Sequence, residues 1–185
     1  MPPMESIAQT WGRLLEAVSF AGRAHHGQRR KDGRTPYAVH PFRVALIVRH
    51  IFGIDDSAAL TAALLHDIIE DTRSDCDDLI ERFGSEVAGW VATLSKDKRV
   101  PEETRERAYC AGLADAPWQV KVSKLADIFD NLLDSRALSQ DQRRRAVERS
   151  QQYLTALNSP HLPEAARRAF DLVQRLLGEI EAGLA

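Results

Sequence analysis

His40, the adjacent pair His66-Asp67, and Asp127 stand in that order along the chain. Two imidazoles and two carboxylates make a four-donor set for a hard-to-borderline divalent cation. The middle pair lies in Ala-Ala-Leu-Leu-His66-Asp67-Ile-Ile-Glu70-Asp71. A buried apolar helix does not ordinarily carry His, Asp, Glu and Asp so close together, because burying charge without a partner is costly. A cation is the simplest compensation. A structural zinc site would favour cysteines, and Cys76 and Cys110 follow no metal or redox spacing. Mixed imidazole and carboxylate donors suit Mn²⁺, Fe²⁺, Co²⁺ or Zn²⁺, and donor type alone does not choose among them.

Residues four apart on a helix share a face. His66 with Glu70, and Asp67 with Asp71, are such pairs. His66 and Asp67 can both reach an ion lying between their rows. Glu70 and Asp71 then fall one turn further on, where a group handling an attacking water belongs. In Val120–Leu132, Val122, Leu125, Phe129 and Leu132 form an apolar face, while Lys124, Asp127 and Asn131 line up on another. By itself that polar row reads as a solvated helix face, and a lone histidine such as His40 reads as a satisfied polar residue. The joint pattern, with Glu70-Asp71-Thr72 in register, points to a metal site.

The elements that must position these groups are helical almost throughout. Ile7, Trp11, Leu14, Leu15, Val18 and Ala21 recur at helical spacing. Pro41 suits the first turn of a helix holding Val44, Ala45, Ile47, Val48 and Ile51, which Gly53 stops. Ser57 is expected to cap a helix running to about Glu70, apolar nearly all round and therefore central. Further helices are expected over 75–83, 85–95, 118–135, 139–157 and 163–180, with Pro101 starting another after a charged loop. No segment alternates at period two, and no repeat or long linker interrupts the chain. The expectation is an all-α bundle of eight or nine helices in one domain over 1–185. Gly27 to His40 is the long irregular stretch: basic, glycine-punctuated, and ending at a proposed metal donor. Such stretches inside compact domains are often functional.

At 185 residues and a net charge of −2, nothing advertises nucleic acid or an anionic membrane, so a phosphate-rich substrate would need a local basic cluster. The amino terminus has neither a basic start nor an apolar run, and no stretch approaches the roughly 18 apolar residues of a membrane span. The two cysteines read as free thiols of a cytoplasmic protein. His50 and His161 read as surface or capping residues.

The order H…HD…D resembles the HD-domain metal phosphohydrolases, and the motifs match a narrower group. Ala24-His25-His26-Gly27-Gln28-Arg29-Arg30-Lys31-Asp32-Gly33, then Pro36-Tyr37 and His40-Pro41, resemble the hydrolase domain of the RelA/SpoT family. So do Ala62 to Thr72, Phe83-Gly84 with Val87, and Lys124-Leu125-Ala126-Asp127 with Asn131. These motifs spread over residues 20 to 135, with the helices of 136–185 completing the bundle. With no synthetase or regulatory segment after residue 185, the chain resembles the stand-alone small alarmone hydrolases.

That resemblance implies hydrolysis of the 3′-pyrophosphate of guanosine tetra- and pentaphosphate, typically with Mn²⁺. It implies His40, His66, Asp67 and Asp127 as metal ligands and Glu70 and Asp71 as the water-activating acids. Arg30, Lys31 and Asn131 match substrate-contacting positions, and Tyr153 matches a substrate-facing tyrosine of the last helices. Lys31, Lys96 and Lys124 are candidates for neutralising phosphate charge, although Arg29-Arg30-Lys31 alone reads as a solvated loop. The chain departs from the family at Ile128, Asp130 and Leu133, where basic residues or histidine are usual, which reduces positive charge on that helix. These departures keep two alternatives open. One is an HD phosphohydrolase for a 5′-nucleotide, a dNTP or NADPH; the other is a non-catalytic nucleotide sensor, which would have no use for Glu70 and Asp71.

Overall fold

The structure, a computed structural model, describes residues 7–184. The amino-terminal residues read above for a targeting signal lie outside the described residues, as does the Ile7 side chain of the first apolar stripe. Helix α1 (Ile7–Ala24) is followed by α2 (Val39–Leu46), which widens into a π-turn over Ile47–Ile51. Next come α3 (Ser57–Leu65), α4 (Ile68–Asp71), α5 (Cys76–Phe83), α6 (Ser85–Leu94), α7 (Glu102–Asp115) and α8 (Trp118–Asp134). A 3₁₀ turn leads to α9 (Gln140–Leu157) and α10 (Glu164–Ala182). Among the described residues there is no strand beyond one isolated bridge. With the broken pair α3–α4 taken as one, the described residues form nine α-helices. The all-α expectation is met.

Two helices sit at the centre. Ala59 through Leu65 of α3 are all buried, so α3 has no solvent face to offer. It therefore feeds two apolar clusters. Leu60 and Ala63 join the one built with α8, α9 and α10, while Ala62, Leu64 and Leu65 join the one built with α1, α5 and α6. Helix α8 is buried from Val120 to Asp130, polar residues included. It packs against α3, α2 and α10. Lys121 resolves its burial by donating to the Ala114 carbonyl at 2.7 Å.

Two local expectations are corrected. The cap of α3 is Asp56, whose carboxylate accepts the Ala59 N–H at 2.8 Å, and not Ser57, which is the first helical residue. The helix also does not run unbroken to Glu70. It stops at Leu65, passes through a turn with Asp67 at φ −99° and ψ 0°, and resumes at Ile68. In an unbroken helix His66 and Asp67 would point about 100° apart. The turn lets both aim at one point.

The stretch before His40 is folded into a tight double-back. Arg30 N–H donates to the Thr35 carbonyl at 2.8 Å, and Tyr37 N–H to the Gln28 carbonyl at 2.9 Å. Asp32 accepts the Arg34 and Thr35 amides inside the turn, and Gly33 supplies the φ of +69° that closes it. His40 itself lies in the first turn of α2, one residue before Pro41.

Candidate metal centre

Three regions converge on one point: α2 brings His40, the α3–α4 turn brings His66 and Asp67, and α8 brings Asp127. His40 Nε2 lies 3.1 Å from Asp127 Oδ1 and 3.6 Å from Asp67 Oδ2. His66 Nε2 lies 3.0 Å from Asp67 Oδ2 and 3.7 Å from Asp127 Oδ1. Single donor atoms of His40, His66 and Asp67 all fall within 4.8 Å of one another. Both imidazoles are buried.

The outer nitrogens are already engaged. His40 Nδ1 meets Asp130 Oδ2 at 2.7 Å, and His66 Nδ1 meets the Ala63 carbonyl at 2.9 Å. Both partners are acceptors, so Nδ1 of each ring carries the proton and Nε2 faces inward. His66 Nε2 is buried without a hydrogen-bond partner, since its approach to Asp67 lacks hydrogen-bond geometry. Two ring nitrogens and two carboxylates thus face each other around one spot. His66 Nε2 is the one of these atoms left without a hydrogen bond, and the donors fit a divalent transition ion.

The acid–base balance of these residues reports the same demand. Burial alone would lower His40, but its hydrogen bonds to Asp127 and Asp130 carry it above the ordinary histidine value. His66 is lowered by burial and raised far more by Asp67 and Asp127, ending well above that value. Burial opposes ionisation of Asp67 and Asp127, yet His66 and His40 hold Asp67 below the ordinary aspartate range. Lys124, with the two histidines, does the same for Asp127. A site that attracts protons this strongly attracts other cations.

Around the four donors lies a ring of fixing contacts. Lys124 Nζ donates to Asp127 Oδ2 at 2.7 Å, and Asn131 Nδ2 to Asp127 Oδ1 at 2.5 Å. Tyr37 OH donates to Asp67 Oδ2 at 2.6 Å, and its ring lies against His25, whose Nδ1 contacts Gln28 Oε1 at 2.8 Å. Glu70 and Asp71 sit on α4, just past the break. Glu70 Oε2 accepts the Lys96 backbone N–H at 3.0 Å. Burial pushes its carboxyl above the ordinary glutamate range against the pull of that N–H, and the Asp67 charge adds to the rise. Asp71 is more tightly held, paired with Lys98 and 3.3 Å from Tyr37 OH.

A cavity of about 440 Å³ opens beside Asp127. It is lined by Lys31, Lys96, Lys124, Arg145, Arg149 and Tyr153, with Asn131, Ile128, Gln142 and Ser150. A second, of about 300 Å³, shares Lys31, Asn131 and Ala146 with it and adds Arg30, Arg43, Leu133 and Asp134. Five basic side chains against the Asp127 carboxylate make the larger cavity strongly cationic. Burial and nearby Lys124 lower the Lys96 ammonium below the ordinary lysine value, a repulsion that a bound anion would relieve. Lys96 Nζ lies 2.9 Å from Glu106 and 2.5 Å from Tyr153 OH, and Tyr153 donates to Glu106 at 2.7 Å.

The residues proposed from sequence for the site are in it or beside it. His40, His66, Asp67 and Asp127 converge; Lys31, Lys124, Asn131 and Tyr153 line the larger cavity; Arg30 lines the smaller one. Arg30 is also tied down, 2.7 Å from Asp134 Oδ2 and 3.1 Å from Asn131 Oδ1. Asp130 is wholly buried behind His40 and pairs with Arg43 and Arg30 of the smaller cavity's wall, which offsets positive charge there. Ile128 and Leu133 do line the cavities. Gln142, Arg145 and Arg149 went unnamed, although with Tyr153 they follow each other at spacings of three and four along one face of α9. Among the described residues no helix is long and apolar enough to cross a membrane.

A family model described as HD domain matches residues 17–170. Guanosine-3′,5′-bis(diphosphate) 3′-pyrophosphohydrolase MESH1 of Homo sapiens is 43% identical over 123 residues, covering 66% of this chain and 69% of that protein. The bifunctional (p)ppGpp synthase/hydrolase SpoT of Escherichia coli (strain K12) is 37% identical over 141 residues, 72% of this chain but 19% of that protein. A solved structure of a metazoan ortholog of SpoT, described as hydrolysing ppGpp, has a TM-score of 0.78 at 28% identity, with 94% of this chain and 97% of that one covered.

Proposed function

The chain belongs to the HD-domain family, and from that premise we propose that it hydrolyses the 3′-pyrophosphate of guanosine tetra- and pentaphosphate, releasing pyrophosphate and GDP or GTP. The observation that carries this reading is the inward-facing donor set of His40, His66, Asp67 and Asp127 opening onto a cavity walled by lysines and arginines. We further propose Mn²⁺ as the ion these four residues hold, residues 1–185 acting as one HD domain, and a cytoplasmic setting in keeping with the free thiols Cys76 and Cys110.

A divalent ion bound there supplies a Lewis acid that polarises a phosphoryl oxygen and makes water easier to deprotonate. Glu70 takes the proton of the attacking water; burial raises its pKa, Oε2 accepts one backbone N–H, and Lys98 stands 3.7 Å from Oε1, further off than from Asp71. Asp71, held by Lys98 and Tyr37, keeps the α4 turn in place. Lys31, Lys96, Arg145 and Arg149 offset the phosphate charges in the cavity. Asn131 holds Asp127 and offers the wall of both cavities to the nucleotide.

Ile128 and Leu133 favour a second reading, an HD phosphohydrolase for another nucleotide, because they put apolar surface where the resembling family carries charge. A nucleotide panel with purified protein and Mn²⁺ separates the two. Pyrophosphate from guanosine tetraphosphate supports the first reading. Inorganic phosphate from a 5′-nucleotide, a dNTP or NADPH, with guanosine tetraphosphate untouched, supports the second.

A further inference from the structure

Asp130 is a wholly buried carboxylate with no part in the scheme above. Its Oδ2 lies 2.7 Å from His40 Nδ1 and 3.7 Å from Arg30 Nη2, and its Oδ1 lies 2.6 Å from Arg43 Nε. Asp134, one turn further along α8, meets the same two arginines: Arg43 Nη1 at 2.8 Å, and Arg30 Nη2 and Nε at 2.7 Å and 3.2 Å. Two carboxylates four residues apart are thus laced to two guanidiniums, one from α2 and one from the 27–38 loop. A buried charge left with a single neutral partner would be unfavourable, and here the arginines balance it.

The arginines balance the charge of Asp130, but its Oδ1 is buried without a hydrogen-bond partner and Arg30 stands 3.7 Å from Oδ2. The contact to His40 is the additional feature. An imidazole with a free choice of tautomer presents a lone pair on either nitrogen. A carboxylate at Nδ1 removes that choice, fixes the ring plane and makes Nε2 a better donor. We propose that Asp130 is the positioning residue of the metal centre: it holds the His40 Nδ1–H so that Nε2 faces Asp67 and Asp127, and Arg43 and Arg30 balance its charge. Arg30 also lines the smaller cavity. The network therefore joins the nucleotide side of the site to the metal side through one buried carboxylate. This inference rests on the metal-centre reading, not on the identity of the nucleotide.

The test is Mn²⁺ affinity by competition with a chromophoric chelator, for wild type, Asp130→Ala, Asp130→Asn and His40→Gln. Asp130→Ala is expected to weaken binding by about 10–100-fold, the usual effect of removing such a partner. Asp130→Asn, nearly isosteric, keeps an acceptor and is expected to lose about 10-fold at most but measurably; it carries the test if the alanine variant does not fold. In the Zn²⁺-loaded wild type, ¹⁵N-detected imidazole spectra are expected to show His40 protonated at Nδ1 with a downfield, hydrogen-bonded proton, absent in Asp130→Ala. Wild-type affinity in both Asp130 variants, or a His40 proton on Nε2, overturns the inference. If His40→Gln also binds Mn²⁺ as wild type does, it is the metal-centre reading that fails. If only His40→Gln is weakened, this inference alone fails.

Discussion

Lys124 Nζ stands 2.7 Å from Asp127 Oδ2, while the other oxygen of that carboxylate faces His40 at 3.1 Å. Lys124 is buried and its Nζ lies 4.6 Å from the centre of the Tyr153 ring and 5.3 Å from that of Tyr109. Burial opposes its charge, yet Asp127 and the rings hold it well above the ordinary lysine value. The residue therefore works inward, on Asp127, as much as outward on the cavity. Replacing it with Met keeps the volume and removes the charge. Unfolding in urea is expected to show a loss of about 3 kcal/mol, the low end for breaking a buried pair, since Asn131 and the histidines still support Asp127. A loss below about 0.5 kcal/mol would show that the pair is not stabilising.

Glu70→Gln keeps the size and the acceptor for the Lys96 N–H but cannot take a proton. Metal content should stay at the wild-type level while turnover falls by about 10²–10⁴-fold. Parallel elemental analysis and pyrophosphate release check this. Loss of metal instead would place Glu70 among the ligands.

Arg145 and Arg149 lie on the exposed edge of the cavity. Removing either should weaken substrate binding and leave the metal in place. For Arg149→Ala and Arg145→Ala the expected change is a rise in KM of about 5–20-fold each, on the scale of one charge-assisted contact. Steady-state kinetics across salt concentrations should show the difference shrinking as salt rises.

The pH dependence has opposite signs with and without metal. His40 and His66 are raised above their ordinary value of 6.5 in the folded chain. A raised group stabilises the fold fully below its unfolded value and loses that contribution as pH climbs through the folded value. The metal-free protein should therefore melt at progressively lower temperature from about pH 6.5 upward. Metal competes with the same protons, so Mn²⁺ affinity, and the stabilisation it confers, should rise over that window. Melting curves at several pH values, with chelator or with Mn²⁺, would contradict this if the two sets moved in parallel.

What could be read from sequence followed from residue types at fixed spacings. His40, His66-Asp67 and Asp127 were visible because imidazoles and carboxylates in apolar helices demand a reason. The centrality of α3 was visible because Ala58 to Leu65, Thr61 apart, is apolar nearly all round. The turn at His66-Asp67 was not, since neither glycine nor proline marks it. The contact of Asp130 with His40 was not legible, because residues 90 apart in sequence meet only where α2 packs on α8. The arginines of α9 were overlooked because a run such as Arg143-Arg144-Arg145 reads as a solvated face until a cavity is found beside it.

The most direct measurement pairs metal content with hydrolysis in wild type and Asp67→Ala. After reconstitution with Mn²⁺ and removal of free ion, wild type should retain about one ion per chain and release pyrophosphate from guanosine tetraphosphate. Asp67→Ala should do neither, with its helical circular dichroism unchanged. An Asp67→Ala protein that keeps full turnover, or a wild type that turns over with its bound ion stripped, would contradict the account.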